Sequence, residues 1–271
     1  MADKTRDRAD KRTKKKQTTL VVSLCTLLVL AAVIAGFLYA GDIIGSSENT
    51  GKSVKDTLRE TEPVELSVTD SEIVFGIDRA AGTIDTIVIC RLDSGKGILC
   101  LDLIEPEMSY LMSSTLYNEL SALNIRIPQA GRFGGLLGYC SDRGAFDAGR
   151  KIASEMLAVD IKHYSSFDKE VLEKYIDVSG EKGERSLSLR VTPTQAKSGG
   201  FGTSGTSMGF VKELFGKALE SDRGVDDRLL YLEAFDALDD GDVITDTVPV
   251  IIHNESLELD ASGWTRIIRN K

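Results

Sequence analysis

Residues 73–104 read IVFGIDRAAGTIDTIVICRLDSGKGILCLDLI, and three apolar runs, 73–75, 84–92 and 98–104, crowd into this stretch. β-Branched and apolar side chains dominate them, which suits strands buried on one or both faces. Asp93-Ser94-Gly95-Lys96-Gly97 separates the last two runs and reads as a hairpin turn. Centred on Gly95, that hairpin sets Cys90 opposite Cys100; an oxidised pair and two buried free thiols both stay open. Asp78, with Arg79 beside it, and Asp85 fall where the first strand ends and the second begins. Strand ends backed by a sheet are where α/β proteins place chemistry. The plainer alternative has Asp78 capping a turn and Asp85 facing solvent.

Downstream, Leu111, Leu116, Leu120 and Leu123 stand near helical spacing within 109–123, with Ser113 and Ser114 as alternative starts. A loop-like run with Pro128, Gly131, Gly134, Gly135 and Gly138 follows, and Asp142 is placed to cap a helix reaching about Leu157. The pattern then predicts a strand over 161–167, a helix from Asp168 to about Ile176, and a strand over 186–192 that turns Arg190 outward. Helices over 210–219 and 226–238 and a strand over 248–252 complete the order, with the Trp264 region either packed back or free. Alternation of this kind predicts an α/β domain over 71–271, with a mixed central sheet flanked by helices.

Two features lie ahead of that domain. Residues 1–16 hold eight Lys or Arg against three Asp, so with a formal net charge of −9 the rest of the chain is strongly acidic. An acidic body argues against nucleic acid as a partner. Residues 20–40, LVVSLCTLLVLAAVIAGFLYA, carry no charge and as a helix span roughly 31 Å, the thickness of a bilayer core. The expected organisation is a basic cytoplasmic tail (1–19), one transmembrane helix (20–40), a polar linker (41–70) and an extracytoplasmic domain. A cleaved signal peptide is the alternative, but its apolar core is usually ~7–15 residues and Leu38 stands where a small residue is needed.

Cys25, Cys90, Cys100 and Cys140 form no CxxC, and His163 and His253 are far apart, so no zinc site is expected. Gly200-Phe201-Gly202-Thr203-Ser204-Gly205 fits GxGxxG, yet it lies well beyond the preceding strand and no acidic strand end follows at the usual distance. A flexible loop is the simpler account, and a backbone nest for an anion is the other.

Several motifs in order resemble the LytR-CpsA-Psr family of bacterial cell-envelope proteins. Gly76-Ile77-Asp78-Arg79 followed by Asp85-Thr86-Ile87 is similar to its opening strand-loop-strand. Arg132-Phe133 through Tyr139 resembles its Lys/Arg-rich helix entry, residues 159–164 its helix-to-strand segment, and residues 187–190 its late arginine-bearing strand. The resemblance implies transfer of a glycopolymer from a polyprenyl-pyrophosphate carrier to peptidoglycan, at a membrane held by the single span. By the same resemblance Asp78 and Asp85 would hold Mg²⁺, and Asp78, Arg79 and Asp85 would be catalytic. Arg132 and Arg190 would grip the substrate's phosphates, and apolar residues of the sheet and its covering helices would line a slot for the lipid.

This chain also departs from the family pattern. Ile104-Glu105-Pro106-Glu107 stands where the family has Pro-Arg-Asp, Thr83 and Thr192 stand at arginine positions, and Gly134 at an asparagine. Residues 202–207 replace a further arginine-bearing segment. Three functions follow: a phosphotransferase with a remodelled pocket, a non-catalytic domain that binds lipid-linked precursor or a wall-synthesis partner, or an unrelated tethered adhesion or sensor domain.

Overall fold

The computed structural model describes residues 70–93, 95–123, 125–199 and 206–269. The basic tail, the apolar run 20–40 with Cys25, the linker over 41–69 and the GxGxxG segment lie outside the described residues. No helix among the described residues is long and apolar enough to cross a membrane.

The apolar runs read from the sequence form β1 (Asp70–Asp78), β2 (Thr83–Asp93) and β3 (Ile98–Ile104) of a six-stranded sheet. β6 (His163–Asp168) lies parallel to β1, and the two-residue β9 (Glu220–Ser221) pairs antiparallel with β6. β10 (Val243–Thr247) runs parallel to β3 at the other edge, giving the order β10-β3-β2-β1-β6-β9. The sheet is mixed, as the alternation of elements predicts.

The β2–β3 hairpin differs from expectation by one position. Asp93 Oδ1 accepts the Lys96 N–H at 3.0 Å, Gly97 takes φ of 66°, and the strands close on Asp93↔Ile98. Cys90 therefore opposes Leu101, and Cys100 opposes Arg91. A one-residue shift moves a side chain to the other face, so Cys90 and Cys100 point to opposite faces, and neither is in a disulfide.

Each face of the sheet carries its own core. On one, Ile73, Phe75, Ile87, Ile89 and Ile104 meet α2 (Asp142–Leu157) and α7 (Ala261–Arg269). Phe75 and Phe146 stack with centroids 5.2 Å apart, and Gly149 permits the approach, since a Cβ there would lie 2.9 Å from Phe75 Cζ. Trp264 packs back and donates its indole N–H to Leu157 O at 2.9 Å. On the other face, Val88, Leu92, Leu99, Leu101 and Leu103 meet Phe210, Val211, Phe215 and Phe235 of α5 (Ser207–Gly216) and α6 (Val225–Ala237). Each large side chain so buried contributes about 1.5–3 kcal/mol, which makes two-sided coverage the main source of stability.

Between β3 and β6 run β4 (Ser109–Leu111), α1 (Ser114–Ala122, capped by Ser113), β5 (Ala130–Arg132), a 3₁₀ turn (Phe133–Gly138) and α2. The expected helix from Asp168 is one turn, α3 (Lys169–Leu172), and gives way to the hairpin of β7 (Ile176–Ser179) and β8 (Ser186–Leu189). The strand expected to reach residue 192 stops early, because Thr192 caps α4 (Pro193–Ser198) in a capping box with Gln195. The strand expected over 248–252 is β11 (Val250–His253), which hairpins onto β12 (Ser256–Leu259) through Asn254 and Glu255 at positive φ.

Candidate functional site

The end of β1, the start of β2 and the end of β6 meet at one end of the sheet. Gly82 N–H closes the β1–β2 turn onto Asp78 O at 2.8 Å, and Asp78 Oδ1 accepts the Ala81 N–H at 2.9 Å. That backbone bond holds the Asp78 carboxyl below the usual carboxylate range. The turn-capping alternative is therefore correct for one oxygen of Asp78. The other oxygen faces a cation that the sequence pattern did not single out. Lys169 Nζ lies 3.8 Å from Asp78 Oδ2 and 3.4 Å from Asp85 Oδ2. Asp78 and Asp85 thus converge, each about one-third exposed, on a lysine exposed to the same degree. Asp85 foremost, then Asp78, hold the Lys169 ammonium above the ordinary lysine value.

The remaining expected residues are less tightly gathered. Arg79 is exposed and pairs with Asp168, which leads into α3 but makes no capping bond of its own. Arg132, at the end of β5, donates to Glu107 at 2.9 Å, and Lys182 lies 3.6 Å from the same carboxylate. Arg190 pairs with Asp177 across the β7–β8 hairpin, and no hydrogen bond or ion pair joins it to Asp78, Arg79 or Asp85. Arg185, which the sequence pattern did not single out, is an arginine that reaches the acidic turn.

Arg185, just before β8, donates Nη1–H to Asp85 O at 3.3 Å, and its Nε lies 3.6 Å from Glu105 Oε2. Glu105 is fully buried, and its Oε1 accepts the backbone N–H groups of Gly183 and Arg185 at 3.1 and 3.2 Å. So the two glutamates found where the family pattern has Pro-Arg-Asp do not present free negative charge: one is turned inward and the other is paired. Gly134 N–H meets Pro106 O at 2.7 Å, and a Cβ at Gly134 would sit 3.2 Å from Ile84 O. A side chain there would press on two backbone carbonyls. Arg185 meets Glu105 and Asp85 only through the fold, since they lie 80 and 100 residues away in the chain.

The arrangement does not suit Mg²⁺ at the expected pair. That ion demands near-octahedral oxygen ligands. Here one Asp78 oxygen is bonded to backbone, and the two carboxylates enclose an ammonium. No group of three or more His, Cys, Asp or Glu among the described residues could hold a metal. Two cavities lie elsewhere. One of about 660 Å³ borders the start of α2 and includes Arg126, Tyr139 and Arg143. The other, about 470 Å³, lies between the start of β1 and α6 and includes Asp70, His163 and Arg223. Neither is lined by Asp78 or Asp85.

No family model matches this chain, and no curated protein does. Solved structures resemble it weakly. The transcriptional regulator YvhJ from Bacillus subtilis is 13% identical with a TM-score of 0.47, covering 74% of this chain and 94% of its own. TagV of B. subtilis is 11% identical at a TM-score of 0.46, with the same coverage. TagT bound to LI-WTA is 12% identical at 0.44, covering 83% of this chain and 95% of its own. Likeness at this level assigns no activity.

Proposed function

We propose that this chain is a membrane-anchored, outward-facing domain of bacterial cell-envelope assembly, of the LytR-CpsA-Psr type. In this reading it holds a lipid-linked glycopolymer precursor, or a wall-synthesis partner, without turning the precursor over. One observation carries the reading: among the described residues, the five cations named above each face a carboxylate. Lys169 faces Asp78 and Asp85, Arg79 faces Asp168, Arg132 and Lys182 face Glu107, and Arg185 faces Glu105. Transition-state stabilisation at a phosphoryl centre needs preorganised cations aimed at developing charge. Cations that must first leave a carboxylate are not preorganised for it. Arg79 and Arg132 are more than half exposed. Ion pairs that open to water are worth about 0–1 kcal/mol, so either arginine can exchange its carboxylate for a ligand's phosphate at little cost. Binding is compatible with this surface, and catalysis has little to draw on.

A second reading, transfer of the glycopolymer to peptidoglycan, is favoured by the meeting of Asp78 and Asp85. The experiment that separates the two incubates the purified full chain with a polyprenyl-pyrophosphate glycan and follows both retention and release of the lipid. Retention without release is expected. Release that Asp85→Ala abolishes would establish transfer, and absence of any retention would overturn both readings.

A further inference from the structure

The acidic pair already contains a cation, and that cation belongs to the chain. Its position follows from the sheet. β6 is parallel to β1 with Ile77 opposite Asp168, so the next residue of each strand places Lys169 beside Asp78. Two contacts hold α3 in that position. Arg79 grips Asp168, the residue before Lys169. Leu172 lies over Gly76, where a Cβ would meet Leu172 Cδ1 at 2.9 Å. The ammonium is thus delivered by a turn anchored at both ends, 3.4 Å from Asp85 and 3.8 Å from Asp78.

We infer that Lys169 is the resident counter-ion of Asp78 and Asp85, and that the site takes its ligand without a divalent metal. A dication entering between the carboxylates would meet the ammonium at contact distance, and like charges so close repel strongly where solvent is partly excluded. Lysine is suited to the place: a compact point charge whose three donors serve two carboxylates at once. The inference concerns the site proposed above and rests on that assignment of the acidic pair. Its test reads metal binding alone and is therefore independent of which ligand the domain holds.

The test uses Mn²⁺ as a paramagnetic stand-in for Mg²⁺, titrated into the purified full chain while the signal of free Mn²⁺ is followed by electron paramagnetic resonance. The titrations of the unmodified chain and of Asp85→Asn are expected to superimpose. Lys169→Gln and Lys169→Met should each gain one Mn²⁺ per chain, bound on the order of tenfold more tightly than any background site. That gain should vanish when Asp85→Asn is added. An unmodified chain that binds one Mn²⁺ lost in Asp85→Asn would overturn the inference, as would no gain in either lysine variant. Failure of lipid retention alongside the expected Mn²⁺ result would instead overturn the proposed function and leave this inference in place.

Discussion

Arg185 Nε stands 3.6 Å from Glu105 Oε2, a buried oxygen that accepts no hydrogen bond, while the other oxygen of that carboxylate takes the N–H groups of Gly183 and Arg185. One carboxylate thus orders both the backbone of the turn before β8 and the guanidinium that reaches back to Asp85 O. The turn itself depends on Gly180 at φ of 111°, where a Cβ would lie 2.5 Å from Glu184 O.

Glu105→Ala is accordingly expected to destabilise the domain by about 2–4 kcal/mol, because it orphans two backbone donors and removes the carboxylate that faces a half-buried guanidinium. Glu105→Gln keeps an acceptor for the two N–H groups and should cost about half as much. Urea unfolding measures both, and an alanine variant within about 1 kcal/mol of the parent would contradict the role assigned to Glu105.

Another buried ion pair joins β2 to β3 within their ladder. Arg91 donates to Asp102 Oδ2 from Nε at 2.9 Å and Nη2 at 2.6 Å, with both side chains out of solvent and the guanidinium over the Trp264 ring. Asp102→Ala should cost about 3–5 kcal/mol, since it strands a charge in the core. Replacing both partners by apolar residues, Arg91→Met with Asp102→Leu, should recover most of that loss. A double variant as unstable as the single one would show that the pair contributes more than mutual neutralisation.

These two pairs also mark where the sequence stops being legible. β1, β2 and β3 can be read from their apolar runs, since the sheet is covered on both faces, and α2 from the regular apolar stripe it turns to one core. Asp78 and Asp85 can be read because they sit at the ends of such runs. Arg91 and Asp102 interrupt their strands' apolar runs, and only the observed register shows that they answer each other. Lys169 cannot be read as a site residue from local pattern, since Asp168 before it looks like an ordinary helix start. β10 and β12 are only five and four residues long, and every residue of β10 is half-buried, so neither offers a clear alternation to detect.

Gly134→Asn would restore the residue that the family pattern has at this position. The fit there is tight, with a Cβ 3.2 Å from Ile84 O and 3.3 Å from Pro106 O. Two backbone carbonyls have to yield, so the variant is expected to lose about 1–3 kcal/mol. Thermal unfolding with no change in midpoint would mean that the turn after β3 relaxes freely.

The thiols give a chemical test of register. Cys90 and Cys100 lie on opposite faces of the hairpin, and burial pushes the Cys90 thiol well above its ordinary range, leaving little thiolate to react. Peptide mapping of the native chain under non-reducing conditions should find no Cys90–Cys100 link, even after mild oxidation. Such a link would require the register centred on Gly95 in place of the one observed.

Asp78 offers a pH test of its turn. Its folded-state pKa is lowered, first by the Ala81 N–H and further by Ala80 N–H and Lys169, with partial burial opposing them. A depressed carboxyl contributes stability that is present above the unfolded-state value, about 3.9, and is lost as pH falls through the lower folded-state value. The stability difference between the parent chain and Asp78→Asn should therefore be constant from neutral pH to about pH 5 and close steadily below about pH 4. Urea midpoints measured across that range decide the matter. A difference that widens on acidification would mean that repulsion from Asp85 outweighs the Ala81 bond, and the convergence of the two carboxylates on Lys169 would then need another account.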